Sequence, residues 1–112
     1  MSRVDQINEL LHQELAKLIS KEVEAPNFMI TISYVDCSPD FKSAKIGISV
    51  LPEKFSGTAL EKLRSHSPQF INNLNKKLKL KSIPRLNWLI DTTEKEAREI
   101  EEILDKIKKN KI

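Results

Sequence analysis

The spacing of the apolar residues changes at Ala25-Pro26-Asn27, and this change constrains the fold more than any other feature of the chain. Before it, apolar residues recur every three or four positions, which is the spacing of a helix with one buried face. Ser2 and Asp5 resemble a capping box at the start of this helix, which we expect to end near Ser20. Its buried face comprises Val4, Ile7, Leu11, Leu15, Leu18 and Ile19.

Beyond the change, apolar and polar residues alternate in two stretches, 28–34 and 44–50. Alternation is the period of a strand that buries one face, and it places Phe28 and Tyr34 in the core. The residues Ser38-Pro39-Asp40 lie between the stretches and favour a turn. The pattern therefore predicts an antiparallel hairpin with one exposed face.

The next part of the chain predicts two helices separated by a kink. Thr58 and Glu61 resemble a second capping box. Pro68 interrupts the helix that follows, because it has no N–H to donate and disfavours helical geometry at the residue before it. Serine suits a helix cap and proline suits the first helical position, so a new helix is expected with Ser67 as its cap.

Alternation at Leu86, Trp88 and Ile90 predicts a third strand, with the tryptophan in the core. A helical connection must return this strand parallel to its neighbour. We expect residues 92–112 to form a C-terminal helical extension. A chain of 112 residues has room for one core. The predicted fold class is therefore α+β, a single domain over 1–112 with a three-stranded mixed sheet and its helices on one face.

Composition places the chain among globular proteins, since 39% of its residues are hydrophobic and 31% are charged. No apolar run approaches the roughly 18 residues of a membrane span, and the first residues lack the layout of a secretory signal. The single Cys37 cannot form an internal disulfide, which suits a reducing compartment. We therefore expect a cytoplasmic protein that does not contact membranes.

Charge is distributed unevenly along the chain. The stretch between Glu61 and Asp91 carries seven of the 19 basic residues and none of the 16 acidic residues. A basic segment on an otherwise acidic domain is typical of a surface that binds nucleic acid. Acidic protein surfaces and lipid headgroups are the alternatives. The seven basic residues are Lys62, Arg64, Lys76, Lys77, Lys79, Lys81 and Arg85.

One face of the second helix of the pair combines amides and ammonium groups. At 100° per residue, this face lies opposite Phe70, Ile71 and Leu74. Lysines near a helix C-terminus also offset the helix dipole, but one or two suffice for that. Free N–H groups at the new N-terminus offer a phosphate site, unless Ser67 satisfies them as the cap. The predicted RNA-binding residues are Arg64, Ser67, Gln69, Asn72, Lys76, Lys77, Lys79, Lys81 and Arg85.

The sequence contains no recognisable catalytic, metal-binding or cofactor-binding motif, so we expect neither an enzyme nor a cofactor. His12 and His66 lack the spacing of metal ligands, and Cys37 has no base near it in the sequence. Asp36 and Asp40 flank a turn, where Asp is common for its backbone hydrogen bonds. A hydrolase that uses these two carboxylates is the least favoured alternative.

Several short segments match one known family in their order and spacing. They are Ile30-Thr31-Ile32-Ser33 to Val35, Asp40, Ala44-Lys45-Ile46 to Val50, Phe70-Ile71, Leu78-Lys79-Leu80-Lys81, Pro84-Arg85-Leu86, Trp88 and Asp91. With them, the chain resembles the ribosome-binding factor A family, whose members are assembly factors of the bacterial small ribosomal subunit. The resemblance runs from Arg3 to Ile107. It implies a type II KH-like domain, α-β-β-α-kink-α-β, that lacks the usual Gly-x-x-Gly clamp.

The resemblance implies that the partners are the free 30S subunit and 16S rRNA with its precursor. It also implies roles in late maturation, in 5′-end processing and in growth in the cold. Two positions depart from the family pattern: Ser67-Pro68-Gln69 replaces an Ala-x-Gly kink, and Asn72 stands where many relatives have Arg.

Glycine occurs only at positions 47 and 57, so a KH clamp cannot grip a single strand in the usual way. We therefore expect binding to structured RNA through its phosphates. The predicted function is that of a monomeric, non-enzymatic assembly factor. The alternative is an adaptor that uses its basic helix face or its C-terminal helix to bind an acidic protein partner.

Overall fold

A computed structural model describes residues 2–80 and 82–92 of the chain. Most of the predicted extension, 92–112, therefore lies outside the described residues. The elements follow the predicted order of helix, hairpin, helix and strand, which confirms the α+β fold class. They are α1 (Arg3–Glu22), β1 (Met29–Cys37), β2 (Ser43–Leu51), a 3-10 turn (Glu53–Phe55), α2 (Ser56–Lys77) and β3 (Arg85–Ile90).

Helix α1 begins at the predicted capping box. The Ser2 hydroxyl accepts the N–H of Asp5 at 3.1 Å, and the Asp5 carboxylate accepts the N–H of Ser2 at 3.4 Å. These bonds satisfy two N–H groups that a helix start leaves without partners. The helix ends at Glu22, slightly later than predicted. Its buried residues all belong to the predicted stripe: Ile7, Leu11, Leu15 and Ile19.

The three strands form a mixed sheet in the order β1-β2-β3. Strand β1 is antiparallel to β2, and β3 is parallel to β2, as predicted. Helix α1 packs mainly on β1 and helix α2 mainly on β3, so the two helices lie side by side on one face of the sheet. The core between the layers includes Leu11, Leu15, Ile46, Ile48, Leu63, Phe70 and Leu74, none of which is more than 1% exposed.

Strand β1 departs from simple alternation at a bulge. The pairing register with β2 shifts between Ile32 and Tyr34, so Val35 and Cys37 are buried beyond the shift. A bulge inserts one extra residue and turns the following side chains to the other face. Tyr34 is consequently only half-buried, and its ring covers Gly47 on the side of the sheet away from the helices. The prediction that Tyr34 lies in the core is wrong.

Helix α2 begins earlier than the sequence predicts. Its first residue is Ser56, whose hydroxyl donates to the carbonyl of Glu53 at 2.7 Å. The preceding 3-10 turn leads directly into the helix. Thr58 therefore lies inside the first turn, and the capping box predicted at Thr58 and Glu61 is wrong.

The predicted division into two helices at Pro68 is also wrong, because Ser56–Lys77 form one continuous α-helix with Pro68 inside it. A proline in a helix interior costs about 3 kcal/mol through one lost hydrogen bond and a steric clash. The free energy gained by burying apolar side chains on both sides of the proline outweighs this cost. Leu63 is buried before the proline, and Phe70 and Leu74 are buried after it. With no new helix N-terminus at Gln69 and Phe70, neither the Ser67 cap nor the alternative phosphate site forms there.

Candidate nucleic-acid interface

The two helices run antiparallel, and two polar contacts join their C-terminal halves. The ammonium group of Lys77 lies 2.9 Å from the Glu14 carboxylate. The Gln69 amide donates to the Glu22 carboxylate at 3.2 Å. The later residue of α1, Glu22, contacts the earlier residue of α2, Gln69, which is the order expected of antiparallel helices. Two of the predicted RNA-binding residues, Lys77 and Gln69, therefore contact α1 in the free protein.

We call the line of contact between residues 14–22 of α1 and 69–77 of α2 the seam. Glu14 contacts lysines of both helices there. Its side chain is 13% exposed, whereas that of Lys77 is 63% exposed, and Lys17 approaches the same carboxylate at 3.5 Å. The hydrogen bond from Lys77 lowers the pKa of Glu14 below its ordinary value, although partial burial opposes the shift. Lys77 belongs to the basic stretch that contains no acidic residue, yet it pairs with a carboxylate supplied by α1.

A groove of about 360 Å³ follows the seam between the C-terminal half of α1 and the end of α2. Lys76 and Lys77 line its α2 wall, and Lys17 and Lys21 line its α1 wall. The lining of the groove thus places four ammonium groups around one carboxylate, that of Glu14. Such a concentration of charge attracts anions.

Sequence reasoning missed Lys17 and Lys21. Counting charge along the chain favours stretches without acids, and α1 carries Asp5, Glu9, Glu14 and Glu22 in addition to its lysines. A usable signal was present, because residues 14, 17, 18 and 21 share one face of a helix. This shared face indicates an anion site only once the structure shows that the facing wall, on α2, also carries lysines.

The remaining residues of the predicted face lie in three places. Arg64, Asn72 and Lys76 are exposed on α2. Lys79 is exposed but lies beyond the helix, because α2 ends at Lys77 and Leu78 adopts an extended backbone conformation. Arg85 is exposed at the start of β3. Lys81 lies outside the described residues.

Ser67 does not belong to the exposed face. Its hydroxyl accepts the indole N–H of Trp88 at 2.7 Å and donates to the carbonyl of Leu63 at 2.9 Å. Trp88 is 4% exposed and packs edge-on against Phe70, as expected for a core residue. Because buried indole N–H groups usually find a partner, this hydroxyl has a structural role. Ser67 is therefore directed toward the core and away from solvent.

Two of the residues considered for catalysis, Asp40 and Cys37, have surroundings that favour a structural role. The Asp40 carboxylate accepts hydrogen bonds from the Ser38 hydroxyl at 2.6 Å and the Lys42 N–H at 3.1 Å, which confirms its role in the turn. Burial raises the pKa of the Cys37 thiol, which disfavours the nucleophilic thiolate.

Metal clusters and membrane spans are both missing from the described part of the chain. Within 2–80 and 82–92, no group of three or more His, Cys, Asp or Glu side chains is placed to hold a metal ion. No helix in the same ranges is long and apolar enough to cross a membrane.

The fold and the groove define a class: a small two-layer α+β domain with a cationic seam between two helices. Comparison with known families is more specific. A family model described as ribosome-binding factor A matches residues 3–104. The chain belongs to the ribosome-binding factor A family, as its sequence predicts.

Individual relatives agree with this assignment. A ribosome-binding factor A of Akkermansia muciniphila is 28% identical over 108 residues, which cover 96% of this chain and 86% of the relative. The crystal structure of ribosome-binding factor A from Thermus thermophilus has a TM-score of 0.69 at 22% identity, over 78% of this chain and 93% of that one. A homology model of the Thermus thermophilus protein, fitted into a cryo-EM map of its complex with 30S, has a TM-score of 0.64 at 22% identity, over 76% and 91% of the two chains.

Proposed function

We propose that this chain is a monomeric, non-enzymatic assembly factor that binds the free 30S subunit through 16S rRNA and its precursor. In this role it assists late maturation and 5′-end processing of 16S rRNA and supports growth in the cold. Family membership supports the proposal, as does the fitting of a Thermus thermophilus relative into a map of a 30S complex. The observation that carries it is the exposed side of α2, where Arg64, Asn72 and Lys76 have no acidic neighbour along the chain after Glu61.

Binding is proposed to occur through phosphates of structured RNA. Ammonium and guanidinium groups pair with phosphate oxygens and release counterions, so the affinity falls as salt rises. Each phosphate contact contributes about −0.7 to −0.9 to the slope of log K against log salt concentration. The exposed amide of Asn72 can donate a further hydrogen bond to a phosphate or a 2′-hydroxyl.

The experiment replaces Lys76 and Lys79 with Glu. Both side chains are exposed, and neither forms an ion pair with another described residue, so we expect the melting curve to change little. Sedimentation with free small subunits, mature subunits and whole ribosomes should show the parent chain on free small subunits and the variant unbound. Lys77 is left unchanged because it pairs with Glu14, so replacing it would change the stability of the protein as well as its binding.

A matched control reverses two lysines elsewhere. Lys45 lies on β2 and Lys54 in the 3-10 turn, and both are exposed, so Lys45→Glu with Lys54→Glu makes the same change in net charge. The control should bind as the parent does. Undiminished binding by the α2 variant would refute the proposed surface. Survival of the complex after nuclease treatment would instead indicate a protein partner.

A further inference from the structure

We propose that the RNA-binding surface extends across the seam onto α1, where Lys17 and Lys21 bind phosphates of the same RNA that contacts α2. This inference rests on the proposed function and adds a second wall to its site. It also gives Glu14 a defined effect, because its carboxylate lies among these lysines and opposes the approach of a phosphate.

The positions of the lysines on α1 support the inference. Lys17 and Lys21 are four residues apart, so they are about 6 Å apart along the helix axis and share one face. Helix α1 contains three basic residues, and these two both line the groove. The third, Arg3, lies at the other end of the helix, over the ring of Phe41.

The opposite wall supplies charge of the same sign. Lys76 and Lys77 lie across the groove, and packed helices are about 8–10 Å apart between their axes. Lysine side chains from both walls can therefore reach one strand of RNA lying over the seam.

The position of Glu14 provides an independent test. In the free protein its carboxylate pairs with Lys77 and Lys17. A phosphate that enters the groove must compete for these two ammonium groups and is repelled by the carboxylate. Neutralising Glu14 should therefore strengthen binding, whereas neutralising Lys17 and Lys21 should weaken it. A merely structural seam predicts no such opposite effects.

The experiment measures binding of the full-length chain to a transcript of complete precursor 16S rRNA at several KCl concentrations. Lys17→Gln with Lys21→Gln should reduce the magnitude of the log–log salt slope by about 1.4–1.8 and weaken binding roughly 10- to 30-fold near 0.15 M salt. Glu14→Gln should tighten binding about threefold to fivefold. Lys45→Gln with Lys54→Gln is the matched control and should change neither quantity.

The variants of α1 and α2 separate the two proposals. If the α1 lysine variant binds as the parent does while Lys76→Glu with Lys79→Glu loses binding, the seam inference is overturned and the proposed function stands. If the α2 variant also binds as the parent does, the proposed function fails. Weaker binding of Glu14→Gln would also overturn the inference. Urea titrations of each variant establish that the compared proteins are folded.

Discussion

Replacing Ser67 with alanine tests whether this residue serves the fold or the RNA-binding surface. The variant leaves the indole N–H of Trp88, a residue that is 4% exposed, without the hydroxyl that accepts it at 2.7 Å. A buried donor without a partner costs about 1–3 kcal/mol. The higher helix propensity of alanine returns roughly 0.5 kcal/mol. We expect the free energy of unfolding to fall by about 0.5–2.5 kcal/mol, while 30S binding of the folded variant stays unchanged.

The assay uses the one tryptophan of the chain as its reporter. Urea unfolding is followed by Trp88 fluorescence and by circular dichroism, and the midpoint and slope are compared with those of the parent. Ser67→Thr restores a hydroxyl and should recover part of the loss. Ser65→Ala is the matched control, because the Ser65 hydroxyl donates to the Lys62 carbonyl at 2.8 Å and has an exposed position.

Two results would refute this reasoning. Equal stabilities of Ser67→Ala and Ser65→Ala would mean that the bond to Trp88 contributes nothing beyond a local helix contact. Full stability of Ser67→Ala combined with lost 30S binding would return Ser67 to the RNA-binding surface that the sequence predicts.

Three further predictions concern the fold. In Gly47→Ala, the new Cβ would overlap the ring of Tyr34, so we expect the free energy of unfolding in urea titrations to fall by about 1–3 kcal/mol, and by less in a Tyr34→Ala background. Pro68→Ala restores a helical N–H and should stabilise the chain by about 1–2 kcal/mol; a loss of stability would show that the proline geometry is needed. Because the folded pKa of Glu14 is lowered, its stabilising effect is present at neutral pH and is lost as the pH falls below about 5. The stability difference between the parent and Glu14→Gln should therefore shrink in acid, and the difference for Glu9→Gln, an exposed position on α1, serves as the control.

The elements that could be predicted are those whose burial follows one uninterrupted period. Helix α1 keeps its apolar stripe from Ile7 to Ile19. Strand β2 buries its apolar side chains at every second position from Ala44 to Val50, and Gly47 between them is buried under the ring of Tyr34. The parallel return of β3 follows from chirality and connection length, and needs no side-chain detail. These features establish the fold class and the antiparallel hairpin from sequence alone.

The features that could not be predicted are local signals overridden by packing. Ser33 has no property that distinguishes a bulge from continued alternation, so the inward turn of Val35 becomes visible only once the register with β2 is known. The sequence around Pro68 favours a helix start, but the burial of Phe70 and Leu74 in line with Leu63 decides for one helix. Propensity is a weak prior where both flanks pack on the same sheet.

The candidate site shows a different limit, since its charges were counted along the chain while RNA meets them in space. Lys77 looked free of carboxylates because its partner, Glu14, lies 63 positions away along the chain. Lys21 looked unimportant because it belongs to a helix that also carries acidic residues. Folding the chain changes both conclusions through the antiparallel seam. The effect of Glu14 on RNA affinity depends on whether its negative charge offsets the positive charge of the groove or only positions the side chain of Lys77. The affinity of Glu14→Gln for precursor rRNA decides between these two roles. If the charge of Glu14 offsets that of the groove, the variant should bind more tightly; if Glu14 positions Lys77, the variant should bind more weakly.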